Sequence, residues 1–336
     1  MKTLNPVWRR VSLGLEEGGL NRVISHFKFM MILATFTLFG CSTAVADKEP
    51  APKPLRFVQG EAGSFTFETG VLKGVLREEG NSIGLVPVTY KENGTAITAG
   101  EGLFNHYRVF TRGKRYGYGA RRWPSTAELQ KDGSVKVLWP VTSDRPFELK
   151  ATYRLSAPNA IDLVTIVRAE KKLEAFEVFL ASYFPPSFTD SRVWASGDPN
   201  EGRKEGFVSA KREFGDWLYF PRDESAKEVI GDGRWVFEPG PLEWTLMPNY
   251  ARPLMIRRDT LSKLTVIMMT RRDDCFGFCT PYGEEKHYSN YMSLFGNDIK
   301  AGQTASACSR LVVLSDPTEA EILKIADEFL KVKSSP

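Results

Sequence analysis

The feature that most restricts the fold is a succession of short apolar runs, several with a period of two, interrupted at places by glycine or by an Asn-Gly or Asp-Gly pair. In F-E-L-K-A-T-Y-R-L, Phe147, Leu149, Ala151 and Tyr153 share one face, and Glu148, Lys150, Thr152 and Arg154 share the other. That alternation belongs to a strand with one buried and one solvated face. Comparable runs cover residues 71–77, 83–90, 107–111, 135–140, 161–167, 176–183, 264–270, 288–295 and 306–314. Asn93-Gly94 and Asp132-Gly133 supply hairpin turns. Residues 193–253 are irregular, rich in glycine and proline around isolated aromatics, and read as long loops on a rigid scaffold. One helix is expected, at the end: Asp316 as cap, Pro317 in the first turn and Glu319 completing a capping box. Ile322, Leu323, Ala326, Phe329 and Leu330 give it an apolar docking stripe. No βαβ alternation, no phosphate-binding glycine loop and no long repeat is present. The expected fold is all-β, a large two-sheet antiparallel sandwich over residues 61–315 with a C-terminal α-helix over 316–333.

Charge excludes one class of partner. The chain carries 45 basic and 41 acidic residues, a net +4, but five of the basic and two of the acidic ones lie in residues 1–46. The remainder holds 40 against 39, too balanced for a protein that binds nucleic acid through its overall field. Residues 1–46 themselves look like an export signal: Lys28, an apolar run over 29–40, then Ala44-Val45-Ala46. The run of 12 residues is too short to span a bilayer, which takes about 20. A second reading takes Leu38-Phe39-Gly40-Cys41 as a lipobox-like element, with Cys41 as a lipid anchor and the sole link to a membrane. Either way the protein is expected to be exported: periplasmic, secreted or anchored to the envelope. Residues 47–60 begin with D-K-E-P-A-P-K-P and form a linker.

Three cysteines remain after that segment. In an extended strand the Cα atoms of Cys275 and Cys279 would stand roughly 13 Å apart. A disulfide needs less than about 7 Å. They pair only across a turn, or one of them pairs with Cys308, or all three are small buried hydrophobes. The spacing suits no metal, and the pattern calls for no cofactor.

The chemistry-bearing stretch is residues 102–125, G-L-F-N-H-Y-R-V-F-T-R-G-K-R-Y-G-Y-G-A-R-R-W-P-S. Six basic residues (Arg108, Arg112, Lys114, Arg115, Arg121, Arg122) alternate with aromatics, and no acid intervenes between Glu101 and Glu128. Guanidinium groups beside aromatic faces suit an anionic or sugar-like ligand. His106 and His287 are each followed by a tyrosine, Tyr107 and Tyr288, and histidine suits proton transfer near neutrality. If residues 105–111 are a regular strand, His106, Arg108 and Phe110 share a face and Asn105, Tyr107 and Val109 the other. His106 is equally readable as a hydrogen-bonded structural residue, and the basic run as a solvated hairpin tip. A second cluster is T-P-Y-G-E-E-K-H, residues 280–287, with Tyr282, Glu284, Glu285 and His287. Trp217, Tyr219 and Trp235 are a third group, placed to stack on sugar rings or to pin long loops.

Residues 287–314, H-Y-S-N-Y-M-S-L-F-G-N-D-I-K-A-G-Q-T-A-S-A-C-S-R-L-V-V-L, resemble the last strands of galactose-mutarotase-like super-sandwiches, with Ala301-Gly302-Gln303 at the turn before the closing strand. The resemblance extends in outline over roughly 250 residues. It implies a concave sheet face and a carbohydrate ligand, as in the aldose epimerases, polysaccharide lyases and glycoside hydrolase domains of that class. The epimerases of the class use a histidine acid and a glutamate base. Here the comparable segment, Cys275 to Tyr282, carries no acid, so mutarotation by that pair is not expected. Two readings follow. In the first, the protein acts on a sugar or acidic polysaccharide by acid–base chemistry, with His106, His287, Tyr107, Glu284 and Glu285 as catalytic candidates. Arg108, Arg112, Arg115, Tyr116, Trp123, Trp217 and Tyr282 would then bind substrate. In the second, the same scaffold is a non-catalytic glycan-binding or envelope protein.

Overall fold

The computed structural model describes residues 54–77, 82–198, 202, 204–282 and 286–331. The chain divides into two units, 1–50 and 51–336, and all described residues belong to the second. The export segment, Cys41 and residues 47–53 of the linker lie outside the described residues, as do Glu284 and Glu285.

Strands dominate. The chain opens with β1 (Val58–Gln59), β2 (Phe65–Glu68), β3 (Leu72–Arg77) and β4 (Gly84–Tyr90), a small antiparallel sheet in that order. Next come β5 (Asn105–Thr111), β6 (Lys114–Arg115), β7 (Thr126–Leu129), β8 (Val135–Trp139), β9 (Phe147–Ala157), β10 (Ala160–Ala169) and β11 (Glu177–Tyr183). The irregular middle holds β12 (Asp190–Ala195), β13 (Gly206–Ser209), β14 (Trp217–Pro221), α1 (Glu224–Ile230) and β15 (Thr245–Leu246). The last part holds β16 (Tyr250–Arg258), β17 (Leu264–Thr270), β18 (Cys275–Pro281), β19 (Ser289–Phe295), β20 (Thr304–Ser315) and α2 (Glu319–Lys331).

These strands form two large sheets. One has nine strands in the order β13-β12-β16-β17-β20-β10-β9-β8-β7. The other has seven, β15-β14-β18-β19-β11-β5-β6, and is antiparallel except where β15 runs parallel to β14. The sandwich expected from the sequence is present, with a main core drawn from the inner faces of both sheets. β9 shows why: Phe147, Leu149, Ala151 and Tyr153 are buried and the residues between them face outward. Tyr153 also crosses the core, its hydroxyl donating to the Phe104 carbonyl at 2.9 Å.

Each outer face is partly covered. α2 lays Ile322, Ala326 and Phe329 against Trp194, Leu254, Ile256, Ile267 and Met269 on the nine-stranded sheet. Its stripe is the expected one except that Leu330 is exposed and Ile325 packs on the sheet in its stead, and its cap is not the expected one. Thr318 and Glu321 form the capping box, Thr318 N donating to the Glu321 carboxylate at 2.8 Å and Glu321 N to Thr318 Oγ1 at 3.3 Å. Asp316 instead takes φ +44° and accepts from Lys263, two residues before the capping Thr318. The outer face of the seven-stranded sheet is covered by α1 and by the loop over residues 231–246, where Trp235 and Trp244 pack on Phe179 and Tyr219. α1 was not expected from the sequence. Asp223 caps it, accepting from Ala226 N at 3.0 Å.

Candidate functional site

The site is created by an irregularity in β5. Opposite β11, Arg108 pairs with Phe179 and His106 with Leu180, so Tyr107 is an extra residue without a partner. Such a bulge re-aims the side chains around it. Beyond it the alternation resumes one residue out of step, which puts Tyr107 and Arg108 on the same, outer face. The face shared by His106 and Arg108 in a regular strand therefore does not exist here. His106 points inward, 1% exposed, its Nε2 3.0 Å from Thr165 Oγ1 on the opposite sheet and its ring 5.0 Å from Trp139. Burial lowers its pKa to about 3, so it is neutral at physiological pH. His287 lies on the outer face, 5.0 Å from the Trp217 ring. The sheet separates the two histidines, and they do not share a site.

On the outer face Tyr107 and Arg108 open into a cleft of about 570 Å³. Its walls are Phe179 and Tyr183 from β11, Trp217 from β14, Tyr291 from β19, His287 before it, Glu101 before β5, and Gly240, Pro241 and Leu242 of the covering loop. Phe179 and Tyr291 stack at 4.6 Å and 16°. Hydroxyl groups run in a chain: Ser289 donates to Tyr291 at 2.8 Å, and Tyr291 donates to Tyr183 at 3.4 Å. Burial pushes the Tyr291 phenol up to about 12. Burial, with the neighbouring phenols of Tyr291 and Tyr107, holds Tyr183 well above its ordinary value. Both are phenols, not phenolates, at neutral pH; Tyr291 donates its proton to Tyr183, which leaves the Tyr183 hydroxyl as the donor or acid toward a ligand.

Arg108 is the unusual member. It is 5% exposed, and its Nε and Nη1 are buried with no hydrogen-bond partner. Its Cζ lies 5.2 Å from the Tyr107 ring centre and 5.6 Å from that of Trp235, so two aromatic faces hold it in place. Gly240 closes over it, with space for a Cβ 3.5 Å from Nη2. The other cations of the stretch do different work. Arg121 forms an ion pair with Glu101 and covers Tyr107 at 4.4 Å. Arg115 ties β6 to the covering loop, Nη1 donating to the carbonyls of Phe237 (3.2 Å) and Pro239 and Nε to that of Gly117 (3.0 Å). Burial first, and the nearby Arg108 charge second, lower its pKa to about 10. The loop is anchored again by Arg234, fully buried between Glu177 (2.8 Å) and Asp232 (2.7 Å). Asn105 donates to the Glu101 carbonyl at 2.7 Å and so fixes the rim.

Several candidates fall elsewhere. Tyr116 and Trp123 are 6% exposed and pack on Phe147 in the main core, at 5.0 and 6.0 Å. The loop after β6 folds back under the sheet, which turns both rings away from the cleft. Arg112 is exposed at the hairpin tip and does not line the cleft, and neither does half-buried Tyr282. Tyr219 and Trp235 support the cleft from behind. Phe179, Tyr183, Tyr291 and Glu101 were not singled out from the sequence. Their signal was the period of two in β11 and β19, where Phe179, Tyr183 and Tyr291 fall on the face opposite Leu180 and Met292. A hollow of about 550 Å³ over the small sheet, flanked by Arg56 and Lys73, contains no unsatisfied buried polar atom. Cys275, Cys279 and Cys308 are unpaired thiols, and no group of three metal-ligating side chains occurs among the described residues.

No family model matches the sequence, and no curated protein matches it. Among solved structures, the chain is similar to a galactose mutarotase-like protein from Lactobacillus casei, 12% identical with a TM-score of 0.42 over 75% of this chain and 100% of that one. A putative aldose 1-epimerase from Escherichia coli K12 is 11% identical, TM-score 0.42, over 74% and 98% of the two chains. The heparan sulfate lyase HepC of Pedobacter heparinus, as a mutant, is 9% identical, TM-score 0.44, over 81% and 38%.

Proposed function

We propose that the protein holds an acidic sugar, a uronate or a sulfated unit, in the cleft on its seven-stranded sheet. One observation carries this reading: Arg108 is a buried guanidinium with Nε and Nη1 unbonded, set at the floor of an aromatic cleft. Burying an ion without a partner costs several kcal/mol, and an anion entering the cleft offsets that cost with bidentate, charge-assisted bonds. The ring of Trp217 suits the apolar face of a pyranose, and the phenol of Tyr183, oriented by Tyr291, suits its hydroxyls. Calorimetric titration with glucuronic and galacturonic acid tests it. Binding by the wild type and at least a tenfold loss in Arg108→Ala are expected; equal affinities in both proteins would refute it.

A catalytic version rests on His287 at the rim beside Trp217, facing phenols that remain protonated. In it, His287 takes the proton alpha to the uronate carboxylate, Arg108 neutralises the developing charge, and Tyr183 protonates the leaving oxygen. New ultraviolet absorbance from an unsaturated uronate, lost in His287→Ala but with binding retained, is the expected result. Binding without product favours the non-catalytic glycan-binding version. We place the protein outside the cytoplasm on its basic flank, the apolar run at 29–40 and Ala44-Val45-Ala46. Amino-terminal sequencing and mass of the exported form distinguish cleavage after Ala46 from a lipid on Cys41.

A further inference from the structure

The cleft has a charged rim that a single sugar unit does not use. After β6 the chain turns back across β5 at the bulge, and Gly119 makes the contact. Its φ is +101°, and a Cβ there would stand 1.7 Å from the Tyr107 carbonyl oxygen. Only glycine permits so close an approach. Ala120, after Gly119, is buried in the main core, and Arg121 then reaches back to Tyr107 and Glu101 of the cleft. Tyr118 is 52% exposed, and the Arg122 guanidinium lies 4.7 Å from its ring centre. Arg122 is itself exposed and forms no ion pair among the described residues.

Arg108 and Arg121 both lie against Tyr107, at 5.2 and 4.4 Å, which places their Cζ atoms no more than about 10 Å apart. Arg122 adjoins Arg121 and lies against Tyr118. Three guanidinium groups thus sit on two phenol faces, Arg108 and Arg121 on Tyr107 and Arg122 on Tyr118, with Arg122 close enough to Arg121 for its charge to lower the Arg121 pKa after burial does. Arg121 is neutralised by Glu101, so Arg108 and Arg122 carry the uncompensated charge. Two neighbouring pairs of aromatic face and free cation suit a chain of charged rings, and a single ring needs one such pair.

We propose that the ligand is an acidic oligosaccharide with charge on at least two units. The inner unit's anionic group binds Arg108 in the cleft, and an outer unit lies on Tyr118 with its charge on Arg122. This rests on the reading of the cleft as an acidic-sugar site and adds the length of the ligand to it. Linking the two contacts makes the second one intramolecular, so affinity rises with chain length without new inner contacts. A nucleic acid is the disfavoured polyanion, because Glu101 and Glu238 interrupt the basic rim.

The test uses the full chain, galacturonic acid and tetragalacturonate in calorimetric titrations, with Tyr118→Ala/Arg122→Ala and Arg108→Ala as variants. Wild type should bind the tetramer at least tenfold tighter than the monomer. The rim double variant should bring the tetramer down to monomer affinity and leave the monomer unchanged, whereas Arg108→Ala should weaken both. If the rim variant leaves the tetramer unaffected while Arg108→Ala removes binding, the outer subsite is refuted and the acidic-sugar reading survives. If Arg108→Ala changes neither ligand, or wild type binds neither, both readings fall. Tighter binding of a single-stranded RNA tetramer than of tetragalacturonate would overturn the choice of ligand.

Discussion

Two arginines on the same face of the seven-stranded sheet are buried in opposite ways. Arg234 is fully buried and saturated: Nε and Nη2 bond Asp232, Nη1 bonds Glu177 at 2.8 Å, and Nη2 also reaches the Ala175 carbonyl at 3.0 Å. Burial works against its charge, but the hydrogen bonds and charges of Asp232 and Glu177 hold its pKa above the ordinary value. Arg108, on the neighbouring part of the same face, has two aromatic rings and no acceptor at Nε or Nη1. A third, Arg257, lies between the sheets on the neutral oxygens of Phe188, Thr280, Ser289 and Asn290, and burial lowers its pKa to about 9. A guanidinium that only holds the fold is given oxygens. Arg108 has none at Nε or Nη1, whereas Arg257 lacks one only at Nη2, and on the reading proposed above this marks Arg108 as the group that binds.

Breaking the saturated arginine is the largest expected effect. Arg234→Ala leaves Glu177 buried, without its cation, beneath the loop that covers the cleft. A loss of about 3–5 kcal/mol is expected from removing one partner of a buried pair, read as a lower midpoint in urea unfolding. A loss below about 1 kcal/mol would show that the clamp is not what fixes the loop.

The residue before the bulge sharpens the contrast, because there the molecule buries a titratable group by keeping it neutral. The folded pKa of His106, about 3, lies below its ordinary 6.5. As pH falls below the ordinary value, the unfolded chain takes up a proton that the folded chain refuses. The stability contributed is therefore whole above pH 6.5 and is lost toward pH 3. Between about pH 6.5 and 4 the loss is on the order of 3 kcal/mol. His106→Gln keeps an amide near Thr165 and cannot titrate, so its stability should fall less with acid than that of wild type. Parallel pH profiles of the two proteins would mean that His106 is not buried as described.

Sequence periodicity revealed the sheets and missed the step that makes the site. β9 and the apolar stripe of α2 were legible because one face of each is wet and the other dry, and β17, buried on both faces, was legible as an unbroken apolar run. β18 was not, since Cys-Phe-Gly-Phe-Cys-Thr-Pro is buried on both faces and has no alternation to read. The bulge at Tyr107 left no mark in residues 105–111 themselves. The loop packs on it through Gly119, a position whose need for glycine appears only when the loop touches β5. Arg108 and Tyr107 were therefore found as residue types, while their common face was not. The same folding-back of residues 116–123 took Tyr116 and Trp123 out of the ligand's reach.

Arg108 itself should respond with the opposite sign from Arg234. Arg108→Met removes a buried charge that has no partner and retains most of the packing on Tyr107 and Trp235. The lost cation–π attraction opposes the gain from removing that charge, so a net stabilisation of about 1–2 kcal/mol is expected, together with loss of uronate binding. A destabilised Arg108→Met protein would place Arg108 with the structural arginines and erase the contrast.

Arg115 gives the smallest effect and the finest division of roles. It lies close enough to Arg108 to depress its own pKa, yet it donates to the carbonyls of Phe237, Pro239 and Gly117. As a strap, it should contribute about 1 kcal/mol to stability, the worth of a few partly exposed hydrogen bonds. Arg115→Ala should lower the urea midpoint slightly. It should weaken uronate binding less than Arg108→Met does, because the loop carrying Gly240 loosens while the cation below it stays. A loss of binding equal to that of Arg108→Met, with the midpoint unchanged, would assign Arg115 to the ligand. The boundary between holding and binding would then lie one strand farther along the basic stretch.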